Sequence, residues 1–283
     1  MSNNERRRFL RAAGALALAG LIPPATAAAA ELELQQPGTL RVAVYANFPP
    51  YSSAGKGVDI ALGRALAEHL GLQPQIVEFP ADEDMKDDLR NMVWRGHYLG
   101  TKPGDVMLHV PVDNHFATIN PQVRIFGPYH LETLAMARLP ERVPQPSNSV
   151  AETFEVFTTE KIGVELDTHS SDFLLHILDG RLQPNIVHFP SLAAAVEAMR
   201  RGEIAAAMGT RTELEGAIGG GGDIALDPLG MPELRIRPWP LGMAVKKDSG
   251  QLADALSNAL AELQRSGTLA RIFADHGLTH RLP

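Results

Sequence analysis

Leu72-Gln73-Pro74-Gln75-Ile76-Val77-Glu78-Phe79-Pro80 returns later in the chain as Leu182-Gln183-Pro184-Asn185-Ile186-Val187-His188-Phe189-Pro190. Each copy follows a helical pattern and carries β-branched and aromatic residues bounded by prolines, which predicts a strand. The flanks match as well. Ahead of the first copy, residues 40–46 read as a buried strand, and residues 57–70 set Val58, Ile60, Leu62, Leu66 and Leu70 at helical spacings before Gly71. After it, residues 82–94 predict a helix with acids in its first turn, where the dipole favours them, and residues 105–110 a third strand. Around the second copy the order is strand 161–166, helix 171–178, strand 185–189, helix 191–201 and strand 204–208. Helix-to-strand connections reuse proline and β-branched residues, so chance is the competing explanation of the echo. The shared order of elements favours two related lobes. Strands that alternate with helices imply parallel sheets covered on both faces, an α/β class.

Residues 125–138 lead away from the first unit as an extended stretch. Beyond the glycines 219–222 and the proline-rich 228–240, residues 241–246 predict a returning strand, and amphipathic helices follow at 251–265 and 268–275. A chain that leaves one lobe and returns to it makes a two-stranded hinge, suited to closing around a ligand. The expected division is 38–134 with 243–283 in one lobe and 135–242 in the other.

The start of the chain reads as an address. Arg6-Arg7-Arg8-Phe9-Leu10-Arg11 precedes an apolar run from Ala12 to Ile22 and small residues from Ala25 to Ala30. This is the layout of a signal peptide over residues 1–30, too short in its apolar part to span a bilayer comfortably. The paired arginines before Phe9-Leu10 resemble a twin-arginine export signal, which implies a periplasmic protein with no stable membrane insertion once the leader is removed. The formal charge of −7 becomes more negative still without Arg6, Arg7, Arg8 and Arg11. Such a surface repels phosphate backbones and argues against nucleic-acid binding. No cysteine occurs, which excludes disulfides, thiolate metal sites and cysteine nucleophiles.

Several short stretches, in order, resemble the periplasmic solute-binding proteins of the polar amino-acid type. They are Leu40-Arg41-Val42-Ala43-Val44 with Phe48-Pro49-Pro50-Tyr51, Gly57-Val58-Asp59-Ile60-Ala61, and Phe126-Gly127-Pro128-Tyr129. Further along come Lys161-Ile162-Gly163-Val164, Phe189-Pro190-Ser191-Leu192 with Gly202-Glu203, and Leu263 to Leu269. The resemblance implies a two-lobed type II periplasmic-binding-protein fold, a small-molecule ligand, an ABC-type permease as partner, and no catalytic residue. Two departures matter. The family's carboxylate-clamping arginine is absent from Val112-Asp113-Asn114-His115-Phe116-Ala117-Thr118-Ile119, and its amine-binding aspartate is replaced by Thr210. Losing both halves of the clamp argues against an ordinary α-amino acid, because buried charges need partners. Arg211 offers a rescue of the carboxylate contact from the other lobe. A narrower resemblance rests on Leu89-Arg90-Asn91-Met92-Val93 and Asp105-Val106-Met107-Leu108-His109-Val110-Pro111. It is to the accessory binding-like proteins of pyrroloquinoline-quinone (PQQ) alcohol dehydrogenases, and it implies a periplasmic quinoprotein dehydrogenase as partner. Residues 95–104 depart from that pattern.

Parallel sheets bind ligands at the carboxyl ends of their strands. That rule selects Tyr45, Phe48 and Tyr51 after the first strand, and His109, Asp113 and His115 after the third. In the second lobe it selects Thr168, His169 and Ser170, with Thr210. The segment from Asp167 to Ser171 opens a helix, so its hydroxyls and free N–H groups suit an anion, or Thr168 and Ser170 simply cap the helix. His109, Asp113 and His115 fit a metal set by residue type but match no strict spacing, and a hydrogen-bonded pocket wall accounts for them without one. His109 with Asp113 also suits a base and its orienter, as a periplasmic lyase or hydrolase on this fold would need. No cofactor is called for.

Overall fold

The computed structural model describes residues 32–231, 234 and 237–283. The leader expected over residues 1–30 lies outside the described residues. Leu40, Val42 and Val44 of β1 (Thr39–Tyr45) face one core with α1 (Val58–His69), while Ala43 and Tyr45 face another. This is the alternation a covered strand requires. Parallel to β1 run β2 (Gln73–Phe79) on one side and β3 (Val106–Pro111) on the other. Between β2 and β3 lies α2 (Met85–Leu89), continued by one wide π-helical turn over Arg90–Trp94. The sequence had predicted a single helix there. Beyond β3, the short α3 (Asn114–Ile119), unmarked in the sequence reading, is capped by Asp113, whose Oδ1 accepts the Phe116 N–H at 2.7 Å.

The outgoing hinge strand is β4 (Val123–Glu132), which passes through Thr133 into β5 (Leu134–Arg138) of a second sheet. There follow α4 (Val150–Phe154), β6 (Ile162–Glu165), α5 (His169–His176), β7 (Ile186–Phe189), α6 (Leu192–Arg200), β8 (Ala206–Thr210), α7 (Arg211–Ile218) and β9 (Ala225–Pro228). The return strand β10 (Trp239–Lys246) begins two residues before the predicted position. It pairs antiparallel with both β3 and β4. Helices α8 (Gly250–Arg265) and α9 (Thr268–Asp275) then pack on the first sheet. The sheets share one topology, β2-β1-β3-β10-β4 and β7-β6-β8-β5-β9. In each, the fourth strand comes from the chain segment that crosses between lobes. Trp239, at the crossing, packs against the cores of both lobes.

The sequence echo maps onto β2 and β7, the edge strands that flank β1 and β6. Its copies differ in length. Gln73–Phe79 is strand throughout, whereas Gln183–Asn185 forms a tight 3-10 turn and only Ile186–Phe189 extends. The chain ahead of the second copy has already turned, with Leu178 at φ 50° and Asp179 at φ 56°.

The lobes touch beside the hinge. A Cβ added to Gly216 of α7 would lie 2.9 Å from the Cβ of Pro50, so glycine permits the approach. His130 of β4 is fully buried and its Nε2 lies 3.0 Å from the Thr212 hydroxyl of α7. The chain end joins them further, with the Thr279 hydroxyl donating to Glu215 at 2.5 Å while the Leu131 N–H donates to the Arg281 carbonyl at 3.0 Å. Among the described residues, no helix is long and apolar enough to cross a membrane.

Candidate functional site

A cleft of about 640 Å³ opens between the lobes. Tyr45, Phe48, Met85 and His109 line it from the first lobe, and Asp167, Thr168, His169 and Asp172 from the second. A narrower chamber of about 190 Å³ shares Asn47 and Phe48 with it and is lined by Glu165, Ser191 and Glu213 among others.

The first-lobe wall begins with a tight loop. Phe48 and Ser52 exchange backbone hydrogen bonds at 2.6 and 2.8 Å, and the Ser52 hydroxyl donates to the Tyr45 carbonyl at 2.5 Å. Gly57 closes the loop at φ 127°, where a Cβ would sit 2.2 Å from the Tyr51 carbonyl oxygen. That carbonyl instead accepts the Asp59 N–H at 2.9 Å, which fixes Asp59 in the first turn of α1. His109 has φ 65° in the middle of β3, a left-handed conformation uncommon for a residue with a Cβ. Its Nδ1 lies 3.3 Å from Asp59 Oδ2, and the Asp59 side chain has no exposed surface. Asp59 Oδ1 accepts the Tyr129 hydroxyl at 2.7 Å, and that hydroxyl in turn accepts the His109 N–H at 3.1 Å. The imidazole sits edge-on to Tyr51 at 4.2 Å and to Phe48 at 4.8 Å between ring centres. Behind them the Tyr51 hydroxyl donates to Glu132 at 2.6 Å. Burial, with the neighbouring carboxylates, holds the phenols of Tyr45, Tyr51 and Tyr129 well above their ordinary range, so they remain hydrogen-bond donors.

The second-lobe wall is local. Thr168 caps α5: its hydroxyl accepts the Ser171 N–H at 3.2 Å and donates to the Glu165 carbonyl at 2.8 Å. A helix's first N–H groups have no acceptor within the helix, and His169, the first residue of α5, lines the cleft. At the start of α7 the Thr210 hydroxyl donates to Glu213. Burial pushes the Glu213 carboxyl up to about 7, opposed by the Thr210 bond and reinforced by Glu165. Burial also raises Glu165.

Of the residues selected from sequence, the structure brings Tyr45, Phe48, His109, Thr168 and His169 together around one cleft. Tyr51 is buried behind His109, and Ser170 is buried under the α5 cap. Thr210 is turned to Glu213. Asp113 serves as the α3 cap, and the carboxylate that lies beside His109 is Asp59, from another element altogether. Among the described residues, His109, Asp113 and His115 form no metal-holding group. Arg211 lines neither chamber; its N–H donates to the Thr133 carbonyl at the hinge, and its Nε is buried without a partner. Sequence reasoning missed Asp59 and Glu213 as site residues. Asp59 stood between the apolar Val58 and Ile60 at the start of a buried helix face, and Glu213 three residues after Thr210 at a helix start. Those positions were the available signals.

No protein-family model matches the chain, and no curated protein sequence does. Solved structures do. An ancestral cationic amino-acid solute-binding protein superposes with a TM-score of 0.64 at 21% identity, covering 84% of this chain and 95% of that one. An amino-acid ABC-transporter substrate-binding protein of Streptococcus pneumoniae, bound to L-arginine, gives 0.57 at 18% identity, covering 85% and 94%. A histidine-kinase sensor domain with similarity to periplasmic binding proteins gives 0.56 at 20%, covering 86% and 98%. With both sheets in matching strand order and two crossings between them, the chain has the two-lobed type II periplasmic-binding-protein fold, with a two-stranded hinge.

Proposed function

We propose that the chain is an exported solute-binding protein that captures a small polar or organic ligand between its lobes. The observation that carries this reading is the cleft itself, lined from both lobes by Tyr45, Phe48 and His109 on one side and Asp167, Thr168 and His169 on the other. A ligand that touches both walls favours the closed arrangement by its differential contacts, which is how binding is converted into a shape a partner reads. The solved relatives of this fold include transporter-linked binding proteins, which supports the same role here. In this reading residues 1–30 direct twin-arginine export, the periplasm is the working compartment, and an ABC permease receives the closed form. The sequence resemblance noted above makes a PQQ-dependent dehydrogenase the other partner to test.

Calorimetric titration of the mature protein with a metabolite panel tests the proposal. Saturable heat without chemical change, and a smaller radius of gyration by solution scattering on saturation, are the expected outcome. Turnover of a bound compound, abolished in His109→Ala, would overturn it in favour of an enzyme.

A further inference from the structure

Unsatisfied donors gather where the chain crosses between the lobes. The Leu131 N–H donates to the Arg281 carbonyl at 3.0 Å, and the Thr133 carbonyl accepts the Arg211 N–H at 2.8 Å. Residues two apart in an extended stretch share an edge, so the two arginines meet the crossing on one side. One comes from the segment after α9 and the other from the start of α7. There Arg211 Nε, Arg281 Nη1, Arg281 Nη2 and the Thr133 hydroxyl are sealed from solvent, and none has a hydrogen-bond partner among the described residues. The carboxylates nearby are already engaged. Glu215 lies 4.0 Å from Arg281 Nη2, beyond hydrogen-bond reach, and both of its oxygens take bonds from Thr279. Glu132 accepts the Tyr51 hydroxyl and the N–H groups of Thr133 and Thr212. Burial and the charge of Arg211 lower the Arg281 pKa against the pull of Glu215 and Glu132, as expected of two guanidiniums that repel. Guanidinium nitrogens donate and cannot accept. A water placed among them would bring O–H groups that need acceptors of their own, whereas an anion brings acceptors only and offsets the repulsion. Neither arginine lines the two chambers of the cleft, so this place is separate from the one proposed for the solute.

We propose that a small inorganic anion, of halide size, binds at the hinge between Arg211, Arg281 and the Thr133 hydroxyl. Arg211 belongs to α7 of the second lobe, while Arg281 is tied through its backbone to Leu131 and His130 in β4 of the first. The anion therefore spans the join and is enclosed only while the lobes hold this arrangement, which its binding favours by differential contact.

Crystals of the mature protein soaked in sodium bromide test the site directly. An anomalous peak between Arg211 and Arg281 is expected, and ordered water there without anomalous signal overturns the proposal. In solution, unfolding midpoints are compared in sodium chloride and in sodium gluconate, a bulkier anion, at equal ionic strength. Chloride should raise the midpoint of the parent by about 3 °C, saturating with concentration. Arg211→Gln and Arg281→Gln should lose that rise while still unfolding cooperatively in gluconate. Arg211→Lys, which keeps the charge but not the Nε–H, should retain only part of it. A rise equal in the parent and the variants marks a general salt effect and overturns the site, as does no rise in the parent. Where a glutamine variant does not fold, the lysine variant and the bromide crystals decide.

Discussion

On the first-lobe wall of the cleft, His109 depends on Tyr129, 20 residues away in the chain, and Tyr129 on Asp59, 70 residues away. On the second-lobe wall, Thr168 depends on Glu165 and Ser171, three residues to either side. One wall is a product of tertiary assembly, and the other is the cap of a single helix. A long-range buried network stands or falls with the packing of its lobe, whereas a cap can be lost at the cost of one helix end. The difference also bears on closure. The assembled wall offers a rigid template, and the capped turn offers backbone N–H groups on an element that can adjust.

The comparison breaks most directly at Glu132, which accepts the Tyr51 hydroxyl and the N–H groups of Thr133 and Thr212. Glu132→Ala leaves three donors without a partner, two of them buried, and a loss of about 3–5 kcal/mol in denaturant unfolding is expected. A loss below about 1 kcal/mol would mean that long-range bonds do not hold this wall. Next comes His130, at the join between lobes. Its Nδ1 accepts the Arg281 N–H at 3.3 Å, so Nε2 carries the proton and donates to Thr212. Burial, with the charges of His280 and Arg281, lowers its pKa to about 3. The unfolded chain takes up this proton near pH 6.5 while the folded one stays neutral, so stability from this residue is whole above that pH. It then falls by about 1.4 kcal/mol per unit as the pH drops toward 3. Glu213, with its carboxyl raised to about 7, works in the opposite direction over the same range. The slope should therefore appear as the difference in stability between the parent and His130→Gln, measured from unfolding curves at pH 7, 6 and 5.

Tyr129→Phe removes the hydroxyl shared by Asp59 and the His109 backbone, and about 2 kcal/mol should be lost, since one of its bonds is to a charged group. Thr168→Ala, the matching change on the other wall, should cost about 1 kcal/mol and leave the first lobe's hydrogen-exchange protection intact. Equal costs for these two substitutions would erase the distinction between the walls.

What the sequence revealed follows the same division. Buried strands such as β1 and the amphipathic α8 and α9 were legible because their periodicity is local, and Thr168 was legible as a cap for that reason. The Asp59–His109 pair was not, because nothing in α1 announces the register in which it meets β3. Asp113 carries a related lesson. Its position after the third strand suggested the cleft, while its spacing to Phe116 carried the cap that the structure shows. The helix predicted from residue 171 begins at His169 because Thr168 takes the cap position. The shortening of β7 relative to β2 was hidden in two nearly identical strings, since the deciding feature is the left-handed pair at Leu178 and Asp179.

The interleaved strand order also sets a timetable for synthesis. Every strand of the second sheet lies between Leu134 and Pro228, so that sheet has all its strands once residue 228 has left the ribosome. The first sheet begins forming earlier yet lacks its fourth strand, the one between β3 and β4, until Lys246 emerges. The half of the protein translated first is therefore the half finished last. The Asp59–Tyr129–His109 network must be completed on a sheet that stays open along one of its inner edges while the other lobe is already closed.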